Sequence, residues 1–281
     1  MHRIFTLISV GLLLGGCTLK TAYNQLDWVM ASYIEDVVTL SDSQEAELEK
    51  RLKSTLKWHR QSQLPEYANW LKTIRSDVDK GLTVPIVESH FETLELFWRR
   101  MVNRGIQDMV VLLPDLNLAQ RQEILAKLNE NNSEFLESFK NVNHEELKDE
   151  RYYKIEENFE RWLGPLSQQQ LDMISDYMKI SSALYQERYQ ARLYWHNKFS
   201  ALLLTDTDKT TLKQNLESLF LYPERHRTDK YQQKIQQNIH AFSVLVVNIT
   251  SVMTQAQKMH LFDELDDFQQ IFTELSVETV D

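Results

Sequence analysis

One pattern of polar and apolar positions recurs five times along the chain: Leu40-Ser41-Asp42-Ser43-Gln44, Leu116-Asn117-Leu118-Ala119-Gln120, Leu166-Ser167-Gln168-Gln169-Gln170, Leu204-Thr205-Asp206-Thr207-Asp208 and Met253-Thr254-Gln255-Ala256-Gln257. The Ser, Thr or Asn accepts from the free amides of a helix's first turn. A glutamine three residues on reaches back to the capping residue's own N–H. Each copy therefore predicts a helix start, with Asp208 standing for the glutamine in the fourth. Four and eight positions after the Gln or Asp stand Leu48 and Leu52, Ile124 and Leu128, Ile174 and Met178, Leu212 and Leu216, and Leu261 and Leu265. That spacing places each pair on one helical face, directed at a core.

Pro65, Pro85 and Asn143 mark further starts. The pattern predicts helices near 20–38, 41–61, 65–79, 85–112, 118–140, 144–162, 167–203, 207–221, 229–252 and 255–275. The first carries Tyr23, Leu26, Met30, Tyr33 and Val37 along one face. In 85–112, Trp98 shares a seam with Phe91, Leu94, Met101 and Gly105 and is expected in the core, Gly105 allowing a close helix approach. Gly164-Pro165 is the clearest internal stop. It divides the body into halves 17–163 and 164–281, unless the two form one continuous domain.

Composition supports the helical reading. Gly81, Gly105 and Gly164 are the glycines that remain after residue 16, far too few for hairpin turns and bulges. The expected fold is all-α, an elongated bundle of about ten helices with no sheet. Six tryptophans, eleven tyrosines and twelve phenylalanines supply ample core.

The chain's one cysteine, Cys17, closes Leu14-Gly15-Gly16-Cys17. His2 and Arg3 precede an apolar run, Ile4 to Leu14, of about 11 residues, which suits a signal peptide and is too short to span a bilayer. Residues 1–16 are thus read as a lipoprotein signal peptide. The resemblance to bacterial lipoprotein signals implies a diacylglycerol on the Cys17 thiol, cleavage before it and acylation of the new amino terminus. Several acyl chains give durable anchoring where one gives little. Thr18, rather than aspartate, follows Cys17, which by the sorting rule of enteric bacteria points to the outer membrane, facing the periplasm. With no second cysteine, no disulfide supports the fold.

Loss of residues 1–16 removes Arg3, leaving 41 acidic and 30 basic side chains and a net charge of −11. That disfavours nucleic acid as a partner. Asn131-Asn132-Ser133 and Asn248-Ile249-Thr250 match the glycosylation acceptor pattern but have no role in a bacterial lipoprotein. Ser54-Thr55-Leu56-Lys57 has the Ser-x-x-Lys spacing of penicillin-recognising enzymes without their companion motifs. The eight histidines include no pair at helical metal-ligand spacing, and Glu156, Glu157 and Glu160 read as a solvated face. No catalytic residue, cofactor or metal is expected.

The segment 167–203 is the exception to plain amphipathicity. Its seam runs Leu171, Ile174, Met178, Ser181, Tyr185, Arg188, Arg192, Trp195, Phe199 and Leu202, so two arginines occupy core positions. Buried charges require partners. Asp27, Asp36 or another carboxylate would make a structural network, whereas an anionic or polar ligand would make a site. Tyr185, Arg188, Arg192 and Trp195, with Trp58, His59 and Arg60, form the candidate polar groove.

Tyr23-Asn24-Gln25-Leu26-Asp27-Trp28, Leu40-Ser41-Asp42-Ser43-Gln44, Trp58-His59-Arg60, Leu64-Pro65-Glu66-Tyr67 and the stretch from Pro223-Glu224 to Tyr231 together resemble an uncharacterised proteobacterial lipoprotein family, a domain of unknown function. The resemblance implies a lipid-anchored helical protein and brings no assigned catalytic residues. The repeated Leu-Ser/Thr-x-x-Gln is also similar to the motif of Spy-type periplasmic chaperones. The leading expectation is a non-enzymatic binding or scaffold lipoprotein, held to the membrane through Cys17 and engaging an envelope protein. A Spy-like chaperone with unfolded clients and an enzyme on an anionic envelope substrate are the alternatives.

Overall fold

The computed structural model describes residues 16–278. The described residues form an all-α fold without strands: α1 (Gly16–Asn24), α2 (Leu26–Glu35), α3 (Asp42–Trp58), a π-helical turn (His59–Gln63), α4 (Leu64–Lys80), α5 (Val84–Leu112), α6 (Leu118–Lys140), α7 (His144–Leu163), α8 (Gln168–Ile180), α9 (Tyr185–Leu204), α10 (Lys209–Phe220), α11 (Asp229–Ser251) and α12 (Gln255–Val277). Short 3-10 turns lie at Leu113–Asp115 and Pro223–His226.

The recurring polar motif does what its chemistry predicts in four copies. Ser41/Gln44, Asn117/Gln120 and Ser167/Gln170 form reciprocal capping boxes, and Thr254 and Gln257 exchange the same two bonds, each at 3.1 Å. The fourth copy differs. Asp208 is itself the cap, accepting from the amides of Thr210 and Thr211, while Thr205 ends the preceding helix with its hydroxyl donating to the Ala201 carbonyl. A carboxylate is a sufficient acceptor at a helix start, so α10 begins two residues later than predicted. Nine of the ten paired apolar residues are buried, Leu128 being half-buried.

Two compact units divide the described residues, one up to residue 75 together with those from 263 onward, the other of residues 76–262. The first has a core of Leu64, Ile271 and Leu275 with Leu19, Tyr23, Tyr67 and Phe272 packed against it. In the second, α5 packs on α10 and α11, α6 on α9, and α8 on both α7 and α11. Gly164-Pro165, predicted to separate two halves, lies within this second unit. Gly164 stops α7 at φ 73°, ψ −164°, a region essentially reserved for glycine, and its N–H donates to the Glu160 carbonyl at 2.7 Å. The stop is a tight turn between packed neighbours.

That turn is fixed by the repeated glutamines. The buried amides of Gln170 and Gln257 donate to each other at 3.2 and 3.0 Å, and Gln257 Nε2 also donates to the Pro165 carbonyl at 2.9 Å. Each amide caps its own helix and pairs with the other. Their burial therefore leaves no unmet polar demand.

Three seams differ from the sequence pattern. The predicted helix 20–38 is two helices that break at Gln25, and Met30 on its expected inner face is exposed. The predicted seam of 85–112 is offset, since Val87, Phe97 and Ile106 are buried whereas Trp98 is 47% exposed. A Cβ at Gly105 would meet nothing within 4 Å, so no close approach depends on that glycine. The predicted helix 167–203 is broken between Ile180 and Tyr185. There Asn238 on α11 accepts from the Ser182 N–H at 2.9 Å and donates to the Ser182 carbonyl at 2.8 Å, satisfying the backbone groups that a continuous helix would have used.

Candidate functional site

Helix α1 is held into the first unit by residues from two sequence motifs. The Tyr23 hydroxyl and His59 Nδ1 share a hydrogen bond of 2.5 Å, and the two rings stack with centroids 5.7 Å apart. Arg60, 6% exposed, donates to Asn24 Oδ1 at 2.6 Å and lies 4.9 Å from the centre of the Tyr23 ring. Its other terminal nitrogen reaches the Leu275 carbonyl at 3.5 Å and Glu278 at 3.6 Å. Lys20 pairs with Glu274 and Glu278. Adjacent residues of one motif thus bind adjacent residues of the other.

The π turn makes this register available. Pro65 lacks an N–H and its ring crowds the carbonyl four residues back, so an α-helix cannot run through it undisturbed. The chain widens instead. The Leu64 N–H bonds the His59 carbonyl, and the Ser62 hydroxyl takes the Trp58 carbonyl at 2.7 Å. A helix start predicted at Pro65 is therefore a π bulge between α3 and α4, an irregularity often found at functional positions. It buries Arg60 and Gln63, leaving Arg60 Nε and Gln63 Oε1 without hydrogen-bond partners.

Burial pushes the His59 imidazole down to about 4, with the Arg60 charge adding to the effect, and pushes the Tyr23 phenol upward. A general base works best near ambient pH. His59 is instead held neutral, its Nδ1 occupied by Tyr23. This cluster positions a helix. Trp58 lies beside His59, centroids 6.5 Å apart, and Tyr67 meets the other side of the imidazole at 5.5 Å.

Acid should test this arrangement. Because His59 titrates near 4 when folded and near 6.5 when free, the unfolded chain takes the proton first as pH falls. Its contribution is complete above about 6.5 and is lost between about 6.5 and 4, up to roughly 3 kcal/mol. Amide exchange in α1, corrected for its intrinsic pH dependence, should lose protection more steeply across this range for wild type than for His59→Gln, which does not titrate. Identical slopes would refute the assignment.

The second unit holds the remaining groove candidates, and they separate. Tyr185 stacks on Phe139 at 5.7 Å, and Phe139 also meets Phe135 and Tyr189. Arg192 lies 4.8 Å over the Phe135 ring and donates to Asn132 Oδ1 at 3.2 Å and to the Asn131 carbonyl at 3.3 Å. Trp195 belongs to a different aromatic group, with Phe199 and Phe220. Arg188 is exposed. The expected buried arginine pair is not formed, because the break at 181–184 resets the helical phase and puts His196, Phe199 and Leu203 in the core. Arg192 is met by neutral acceptors rather than by Asp27 or Asp36.

Asn132, set aside in the sequence as part of a glycosylation pattern, is a buried hub: its amide also donates to His196 Nδ1 at 2.8 Å. Desolvation lowers the His196 imidazole as well. A signal for Asn132 exists in its place eight residues after Ile124 on an otherwise apolar face.

Cys17 falls within the backbone of α1, whereas Leu14 and Gly15 of the expected signal motif lie outside the described residues. Among the described residues no group of three or more His, Cys, Asp or Glu is placed to hold a metal ion, and no helix is long and apolar enough to cross a membrane.

The described residues thus form an all-helical protein in which residues of two sequence motifs interlock. The model of the family of unknown function DUF6279 matches residues 36–232, and the chain belongs to that family. The matched stretch takes in Leu40–Gln44, Trp58–Arg60, Leu64–Tyr67 and Pro223–Tyr231, while Tyr23–Trp28 precedes it. No curated protein and no solved structure matches the chain.

Proposed function

We propose that this protein is a lipid-anchored lipoprotein of the outer membrane, facing the periplasm, that binds or scaffolds another envelope component without catalysing a reaction. The observation that supports this reading most is the docking of α1. The helix that includes Cys17 is fixed by Lys20, Tyr23 and Asn24 to Glu274, Glu278, His59 and Arg60. An acyl anchor on Cys17 would then join a folded unit with little slack, since even an extended chain gains at most about 3.5 Å per residue. Rigid placement at a bilayer serves a binding protein whose target has a fixed position. It offers nothing to an enzyme on a diffusing substrate.

Crosslinking in intact cells, followed by purification of the protein with its attached partners, tests the reading. A small, reproducible set of envelope components is the expected result. A broad mixture of unrelated unfolded proteins would instead favour a Spy-like chaperone, and for that outcome slowed aggregation of a denatured client by the purified chain is the confirming measurement. Recovery of no partner would count against both.

A further inference from the structure

The charge of the chain is strongly negative, yet one surface of the second unit gathers several cations, and only some of them meet a carboxylate. At its centre is Tyr222, next to the 3-10 turn Pro223–His226. The Arg225 guanidinium sits 4.0 Å from the Tyr222 ring centre and Arg99 approaches the same ring at 5.3 Å. His226 stacks on Tyr194 at 5.3 Å, and Lys198 lies 5.5 Å from that ring. Arg227 rests 5.7 Å over Tyr231 and bonds the Gln232 amide at 3.3 Å. Contacts therefore run unbroken from α5 through the 3-10 turn to α9.

The compensation is one-sided. Glu95 and Glu224 both bond Arg99. Arg225, Arg227 and Lys198 form no ion pair among the described residues, in a chain with 41 acidic side chains available. A guanidinium held against a ring has already given up part of its conformational freedom, so it pairs with a carboxylate or phosphate at a smaller entropic cost. Tyr194 is itself exposed. Cations spread over α5, the 3-10 turn and α9 and held in place by aromatic rings suit an extended ligand carrying anionic groups at intervals.

We infer that the surface of Arg99, Tyr222, Arg225, Arg227, Tyr194 and Lys198 binds an acidic polysaccharide, one bearing carboxylate or phosphate groups along the chain. This names a partner class for the envelope-binding reading and rests on it for where the ligand is met; the binding itself is independent of Cys17. Phospholipid headgroups share the anionic chemistry but not its repetition along one covalent chain, and vesicles are the arm of the test that separates them.

The test uses the full mature chain in neutral detergent, with polygalacturonate and dextran sulfate as probes and neutral dextran as control. Binding to both charged polymers at low salt is expected. With about three ionic contacts, a tenfold rise in salt should weaken it on the order of 100-fold. Arg225→Ala with Arg227→Ala should weaken low-salt binding at least tenfold, and Lys198→Ala, on a separate helix, should weaken it severalfold. Arg225→Lys, which keeps charge but not the planar fork, should fall between. Circular dichroism checks that each variant is folded. No binding to either charged polymer, equal binding to neutral dextran, or unchanged binding in both the double variant and Lys198→Ala would overturn the proposal. So would variant-sensitive binding confined to phosphatidylglycerol vesicles. Because palmitate labelling is read separately, failure here leaves the anchoring reading standing, and the converse also holds.

Discussion

A chain in which Cys17 is replaced by serine is expected to keep the wild-type helical signature and to lose incorporation of labelled palmitate altogether. The chemistry behind this is all-or-none, because the serine hydroxyl does not replace the thiol as the acceptor of the diacylglycerol. The contacts that hold helix α1 come from Leu19 onward. They are made by Leu19, Lys20, Tyr23 and Asn24. A substitution outside such contacts changes stability by about 0.5 kcal/mol or less. Each buried methylene of an acyl chain, by contrast, contributes about 0.8 kcal/mol to membrane binding, so several chains on Cys17 would hold the protein durably and their loss would release it. The variant should fractionate as unprocessed precursor or as soluble periplasmic material. Equal palmitate labelling of wild type and variant would remove the anchor from Cys17 and with it the proposed location.

What could be read from the sequence was what is decided within one helical turn. Ser41, Asn117, Ser167 and Thr254 cap their helices because the groups they satisfy lie two or three residues away, and the apolar pairs that follow inherit their phase from that start. The features that eluded the pattern are decided at a distance. The break at 181–184 depends on Asn238, a residue of another helix whose amide replaces the lost backbone bonds. Once that break is made, Arg188 rotates to solvent and Arg192 finds Asn132 instead of a carboxylate. The phase of α5 shows the same limit, because Phe97 and Trp98 are equally apolar as letters and only the packing of α10 and α11 against α5 selects Phe97. The motif pairs were visible as strings, but their interlock spans 36 residues and depends on a π bulge that Pro65 only hints at.

That interlock should make Arg60→Ala the most damaging single change in the first unit, with a stability loss of about 3 kcal/mol. Arg60 meets Asn24, the Leu275 carbonyl, Glu278 and the face of Tyr23 from one planar head. Truncation removes the bond to the Leu275 carbonyl, the charge-assisted bond to Asn24 and the contact with the Tyr23 face from a buried position. The estimate stays near the lower end of the range for broken buried pairs because Glu278 is 31% exposed on its side chain and can turn to water. Arg60→Lys restores the charge as a single point and cannot reach Asn24 and Leu275 at once, so it should recover less than half of the loss. Glu278→Gln should cost no more than about 1 kcal/mol, as expected of a pair open to solvent. Two units make a single global transition an unsafe readout, so amide exchange in α1 is the decisive measurement. Arg60→Ala should speed exchange across residues 16–24 on the order of 100-fold, which corresponds to about 3 kcal/mol. A variant with wild-type protection in α1 would show that Arg60 does not hold it. The rigid link from anchor to body would then lose its physical basis, whatever the fate of Cys17.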